Sequence, residues 1–190
     1  MTIKLSDFDL FRDLLYKESG LVITPDKTYL LDSRLTPIAN YHNLESLAVA
    51  LRALPDRALV TDIVEAMTTN ETSFFRDQKP FNLFEQVVLP ALMAARTKGT
   101  RKIRIWCAAA STGQEPYTLS MLLKEKEALW KGVTIEIVGT DISNDALDLA
   151  RAGMYTQFEV QRGLPITFLM KYFKQVEDKW QISDDIKKMV

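Results

Sequence analysis

The segment 102–139 constrains the fold more than any other part of the chain. A short apolar run at 103–108 is typical of a buried strand, and a turn of small residues ending at Gly113 follows it. Residues 114–130 have helical spacing, with a proline tolerated in the first turn. Residues 133–139 form a second apolar run. Strand, helix and strand of these lengths predict a βαβ unit in a parallel sheet.

The first seventy residues follow a different pattern. Apolar residues recur at helical spacing before Gly20, and Thr24-Pro25 is typical of a helix start. Strand-like alternation is lacking, so we expect a small all-helical domain ahead of the α/β part. The predicted divisions are a helical domain at 1–68, a linker at 69–98 with a helix at about 80–95, and the α/β domain at 99–190. In the α/β domain, Ser143 is predicted to cap a helix and residues 179–182 are predicted to form a short strand.

Composition excludes several classes of protein. The formal net charge of −1 over 190 residues argues against a nucleic-acid binder, which needs a basic excess to neutralise phosphates. The single cysteine, Cys107, excludes an internal disulfide and favours a reducing compartment. The start of the chain does not resemble a signal peptide, and no run of about 18 apolar residues occurs. We therefore expect a cytoplasmic protein without membrane insertion.

The loop after the first predicted strand indicates the kind of ligand. A small-residue turn at a helix N-terminus is typical of nucleotide sites, but this loop lacks the GxGxxG pattern of dinucleotide-binding folds. Glu115 would repel a phosphate and suit a cationic ligand. Asp141, at the end of the second strand, has two acceptor oxygens that match the vicinal hydroxyls of a ribose. The pattern favours S-adenosylmethionine over a dinucleotide.

Three segments, in order along the chain, resemble the CheR methyltransferases, the family that esterifies glutamate side chains of chemotaxis receptors. They are 69–77 (TNETSFFRD), 106–117 (WCAAASTGQEPY) and 139–155, which begins GTDIS. The resemblance runs over the whole chain. One departure is Gln114, where many members have an acid, although the neighbouring Glu115 is retained.

The resemblance implies S-adenosylmethionine as the cofactor, S-adenosylhomocysteine as the product, and no metal ion. It also implies a catalytic role for Arg76, which would hold the substrate carboxylate, because a guanidinium binds a carboxylate in a bidentate fashion. The residues implied to contact the cofactor are Asn70, Thr72, Arg76, Ala109, Gly113, Glu115 and Asp141.

The resemblance names methyl-accepting chemotaxis receptors as the partner. Lys27 and Arg34 lie on the predicted helix 25–39, which is basic in the family and meets the receptor. In this chain, residues 36–40 (TPIAN) stand where the family helix often continues with arginines. A helix face that only contacts solvent is therefore an equally favoured alternative to a receptor-binding face. The segment 174–179 is short and has no glycine, which resembles the members that act without binding a receptor pentapeptide.

Family members continue beyond the position of Val190, so the resemblance implies a C-terminally truncated chain whose Rossmann-like methyltransferase domain, at 99–190, is incomplete. An exposed sheet edge would then favour a domain-swapped or edge-strand dimer. A non-catalytic fragment that docks on the receptor or binds the adenosyl ligand is the main alternative function. A small-molecule methyltransferase or dinucleotide-binding domain is disfavoured by residues 70–76 and by the loop without GxGxxG.

Simpler structural roles remain open for the same residues. Asn70 and Thr72 could cap helices, Arg76 could be an ordinary surface arginine, and Asp141 could cap the helix that follows it. Trp106 is expected in the core, and Cys107 is expected to be a buried structural residue.

Overall fold

The computed structural model describes residues 7–53, 56–95 and 102–190. The chain divides into two compact units, Met1–Thr69 and Asn70–Val190. The predicted boundary between 98 and 99 lies outside the described residues. Among the described helices, none is both long enough and apolar enough to cross a membrane.

Every regular element described in the first unit is helical, which confirms the predicted helical part of the fold. Gly20, at φ 73°, ends the first helix, and its N–H donates to Tyr16 O over 2.9 Å. A 3-10 turn (Pro25–Lys27) leads into the second helix. Apolar side chains spaced by three and four residues form the core. The helices are α1 (Phe8–Ser19), α2 (Thr28–Tyr41), α3 (Leu47–Ala53) and α4 (Arg57–Met67).

The second unit begins with a helical segment in three consecutive parts. They are α5 (Lys79–Leu83), a π-helical stretch (Phe84–Val88) and α6 (Leu89–Ala94). This segment corresponds to the helix predicted at about 80–95. Phe81, Phe84 and Leu89 bury their side chains against the core beneath the parallel sheet.

The predicted βαβ unit is confirmed. Strands β1 (Lys102–Ala108) and β2 (Thr134–Thr140) pair in parallel from Lys102 opposite Thr134 to Ala108 opposite Thr140. Helix α7 (Gln114–Glu125) and a 3-10 turn (Glu127–Trp130) connect them. The carboxyl ends of both strands therefore lie side by side, at the edge where α/β sheets bind ligands.

The prediction that β1 is a buried strand with Trp106 in the core is wrong. Only Cys107 of this strand is buried, and Trp106 is 70% exposed, with its Nε1 donating to Thr140 Oγ1 over 2.9 Å. The alternation of exposed and partly covered residues is that of a strand covered on one face. Within the described residues β1 pairs with β2 alone, so its second face and edge lack the cover that a central parallel strand has.

A second sheet, of three antiparallel strands in the order β3-β5-β4, lies beside the first. The predicted strand at 179–182 is present, but the other two strands were not predicted. Their neighbouring helices place the loops that matter below. These elements are β3 (Met154–Thr156), β4 (Phe173–Val176), β5 (Lys179–Ile182), α8 (Asn144–Ala152), α9 (Gln157–Gln161), α10 (Ile166–Tyr172) and α11 (Asp184–Lys187).

Candidate functional site

The loop between β1 and α7 has an unusual backbone. Ala109, Ser111 and Gly113 have positive φ angles of 60°, 50° and 93°, and the residues between them do not. Two of the three are not glycine, so the turn stores strain of a kind that clusters at ligand sites. A Cβ at Gly113 would lie 3.0 Å from the Ala150 Cβ, so only glycine fits there. The N–H groups of Ala110, Ser111 and Gly113 donate to Thr140 O, Asp141 Oδ2 and Ala110 O, so hydrogen bonds within the protein hold the loop in this conformation.

Asp141 joins this loop to the end of β2. Its Oδ2 accepts the Ser111 N–H over 2.7 Å, and its Oδ1 accepts the Ser143 N–H over 2.9 Å. The carboxylate is half-buried and fixed from both sides. Each oxygen keeps a lone pair beyond the one that the backbone uses, so two adjacent hydroxyl groups can still bind.

Asn70 reaches the same point from the start of the second unit. Its Nδ2 donates to Ser143 Oγ over 3.2 Å, and its carbonyl oxygen accepts the Ser111 hydroxyl over 2.7 Å. Ser143 is fully buried and its Oγ also accepts the Ala146 N–H at the start of α8. Two serines therefore connect Asn70 to Asp141, although the two residues lie far apart in the sequence. The sequence predicted Ser143 as a helix cap only and did not single out Ser111.

The segment after Asn70 is anchored by an aromatic side chain. Phe74 is fully buried and makes edge-to-face contacts with Tyr155, at 5.0 Å between ring centroids, and with Phe173, at 5.6 Å. Thr72 is half-buried next to it. Arg76 is exposed, and its Nη1 donates to the Glu71 carbonyl oxygen over 2.9 Å. The anchor holds the backbone in place while the Arg76 guanidinium stays accessible.

Glu115 lies exposed in the first turn of α7, close to the end of β1. Burial raises the pKa of the Cys107 thiol to about 12, and the charge of Glu115 and a hydrogen bond to it act in the same direction. The thiol therefore stays protonated. Together with Asp141, Glu115 gives this edge of the sheet two acidic side chains, which suits a cationic ligand better than a phosphate.

A cavity of about 600 Å³ lies along β2 and α8. Its lining includes Ala110 and Gly113 but not Asn70, Glu115 or Asp141. Of the seven predicted cofactor residues, Gly113 alone lines this cavity. Asn70, Arg76, Ala109 and Glu115 are exposed outside it, and Thr72 and Asp141 are half-buried.

The two predicted receptor-binding residues have different surroundings in the first unit. Lys27 is exposed in the 3-10 turn before α2. The Arg34 guanidinium instead donates to Met67 O and Thr68 O, each over 3.0 Å, and to Thr69 Oγ1. These carbonyls lie at the end of α4, where helix acceptors lack intrahelical partners. Arg34 therefore closes α4, a role that the sequence did not predict.

The sequence comparisons agree with this geometry. Residues 70–190 match "CheR methyltransferase, SAM binding domain", and residues 6–68 match "CheR methyltransferase, all-alpha domain". A chemotaxis protein methyltransferase 1 of Pseudomonas aeruginosa is 38% identical over all of this chain and 71% of its own length. One of Vibrio cholerae is 36% identical over all of this chain and 70% of its own length. Another, of Pseudomonas putida, is 35% identical over 97% of this chain and 69% of its own length.

These matches confirm the resemblance drawn from residues 69–77, 106–117 and 139–155. They also confirm the predicted fold class, a helical domain followed by a methyltransferase domain, and S-adenosylmethionine as the cofactor. The individual site residues remain predictions.

Proposed function

The chain belongs to the CheR methyltransferase family, and on that premise we propose that it methylates glutamate side chains of chemotaxis receptors in sensory adaptation. The methyl donor is S-adenosylmethionine. The observation that carries the proposal is the junction at Asp141. There two serines connect Asn70, which lies in the family-like segment 69–77, to the carboxyl ends of both parallel strands.

The residues present fit the cofactor. The free lone pairs of Asp141 suit the two ribose hydroxyls, and the strained loop with Ala109 and Gly113 lets the ligand approach the backbone. Glu115 provides a negative charge for a ligand that is positive and lacks phosphate. Asn70 and Thr72 complete the proposed contacts from the other side.

When bound, the cofactor supplies an electrophilic methyl group on a sulfonium. A carboxylate oxygen of the substrate would form the new bond to that methyl as the carbon–sulfur bond breaks, and the electron pair of the broken bond would stay on the sulfur. No proton moves, so the protein needs no general base. Its contribution is orientation and the exclusion of water.

Arg76 is the proposed residue for orienting the substrate carboxylate. Its backbone follows the buried Phe74, and its guanidinium keeps donors free besides the bond to the Glu71 carbonyl oxygen. A charged pair of this kind attracts the substrate without consuming both lone pairs of the attacking oxygen. For the receptor itself we propose contact through Lys27, which is exposed. Arg34 instead donates hydrogen bonds to the carbonyl oxygens at the end of α4.

The test is methyl-ester formation on receptor membranes with radiolabelled S-adenosylmethionine. Asp141→Asn should lower the rate by roughly 10- to 100-fold, because a hydrogen bond to a charged group contributes about 1.5–3 kcal/mol. Asp145→Asn is the matched control, since Asp145 is an exposed acid four residues further along. The proposal would be refuted if Asp141→Asn formed the ester as fast as Asp145→Asn does. It would also be refuted if the protein bound receptor and cofactor but formed no base-labile methyl ester. The second result would favour a non-catalytic docking role.

A further inference from the structure

The loop between α9 and α10 lies directly against the segment that follows Asn70. Gly163, at φ 92°, faces the Phe74 carbonyl oxygen so closely that a Cβ at this position would collide with it. Phe74 is fully buried. The backbone on both sides of this contact is therefore fixed, and the side chains that project from it have defined positions.

Arg162 projects from this loop and was not predicted as a site residue. Its guanidinium pairs with the Glu71 carboxylate, while Arg76 donates to the carbonyl oxygen of the same residue. One residue therefore contacts two guanidinium groups. The pKa of the Glu71 carboxyl is lowered, chiefly by the Arg162 hydrogen bond and charge and further by the charge of Arg76.

The pairing is open to water. The side chains of Arg162 and Glu71 are 48% and 53% exposed. Exposed ion pairs contribute little net free energy, because water and salt screen them and two long side chains must be held in place. A carboxylate from another molecule can therefore replace Glu71 at little cost, and a chelating pair of acids would do so more readily than a single one.

We propose that Arg162 and Arg76 together bind carboxylates of an acidic peptide, and that Glu71 occupies Arg162 until such a peptide arrives. Arg162 would then be a specificity-determining residue that engages a second acidic side chain near the one being methylated. The inference rests on the proposed function, because it takes Arg76 as the residue that faces the substrate carboxylate.

A purely structural role makes a different prediction. If the Arg162–Glu71 pair only fastened the loop to the segment 70–76, then removing either partner would break the same contact and have the same effect. If Arg162 recognises the substrate, removal of Glu71 frees the guanidinium and removal of Arg162 eliminates it. The two substitutions should then act in opposite directions.

The experiment measures binding of an alanine-based helical peptide that carries four glutamates, by fluorescence anisotropy with saturating S-adenosylhomocysteine. Arg162→Gln should weaken binding about fivefold, and Glu71→Gln should strengthen it about twofold. Arg151→Gln is the matched control for charge, because Arg151 is an exposed arginine paired with Asp148 within α8. It should leave the affinity unchanged. Arg162→Gln should likewise bind as the wild type does when glutamine replaces every glutamate of the peptide.

Shifts in the same direction for Glu71→Gln and Arg162→Gln would overturn the inference, and so would an unchanged affinity in Arg162→Gln. An equal loss of S-adenosylhomocysteine affinity in both variants would likewise assign the pair a structural role. Methyl transfer to the peptide is measured separately. Opposite binding shifts without transfer would support Arg162 as a recognition residue and count against the proposed function alone.

Discussion

Ser143→Ala separates the two roles that the structure gives to one buried hydroxyl. The Oγ atom accepts the Ala146 N–H as the cap of α8 and accepts the Asn70 amide over 3.2 Å. Loss of an N-cap costs about 1 kcal/mol of stability. Asn70 is exposed, so its freed amide can bind water, and the second loss adds little to the free energy of unfolding.

The second loss should appear in the affinity for the cofactor. An untethered Asn70 has to be immobilised when the ligand binds, which costs roughly 0.5–1.5 kcal/mol for one side chain. The dissociation constant of S-adenosylhomocysteine should therefore rise by a factor of about 2 to 13. Calorimetric titration measures this change, and urea unfolding measures the accompanying loss of stability.

Thr156→Ala is the matched control. Thr156 caps α9 through a capping box with Glu159 and has no contact with Asn70 or Asp141 among its described hydrogen bonds. Its loss should also cost about 1 kcal/mol of stability but leave the dissociation constant unchanged. If both variants bind S-adenosylhomocysteine equally well, Ser143 is only a helix cap and the reasoning about Asn70 is wrong.

Three further outcomes are expected. Arg34→Ala should lower the free energy of unfolding of the first unit by about 1–3 kcal/mol, because the carbonyl acceptors at the end of α4 lose their donor. Lys27→Ala should leave this free energy unchanged and weaken only the binding to the receptor. In urea unfolding, Gly163→Ala should lower the free energy of unfolding more than Gly132→Ala does. Both glycines have a positive φ, but only Gly163 faces a backbone atom, so equal losses would contradict the close contact. The thiol of Cys107 has a pKa raised to about 12 from its ordinary value of 9.0, so above pH 9 the unfolded chain loses this proton first and stability should fall. The difference in unfolding free energy between the wild type and Cys107→Ala should shrink from pH 9 to pH 11, and a constant difference would refute the shift.

The sequence predicted those parts of the fold that local pattern determines. The runs at 103–108 and 133–139, the small-residue loop and the cap at Ser143 each depend on neighbouring residues, and each is present in the structure. Strand β3 was missed because three residues are too few for a periodic pattern and its partner β5 lies more than twenty residues away. Strand β4 was missed because only its first residue is buried, so it has no apolar alternation.

The sequence predicted individual residues of the candidate site but not the hydrogen bonds that join them. Family motifs pointed to Asn70, Arg76 and Asp141, but the hydrogen bonds through Ser111 and Ser143 depend on how distant segments pack. For the same reason the exposure of Trp106 could not be read from an apolar run, because the run does not say which face of the strand is covered.

The most direct test of the account identifies the atom that receives the methyl group. Receptor membranes are incubated with the protein and S-adenosylmethionine carrying a deuterated methyl, and the receptor peptides are mapped by mass spectrometry before and after mild base. The proposed glutamate methylation predicts label on glutamate side chains that mild base removes. The amount of label should be greatly reduced with Asp141→Asn but not with Asp145→Asn. Label on another type of residue, or no label on a receptor that the protein binds together with S-adenosylhomocysteine, would contradict it.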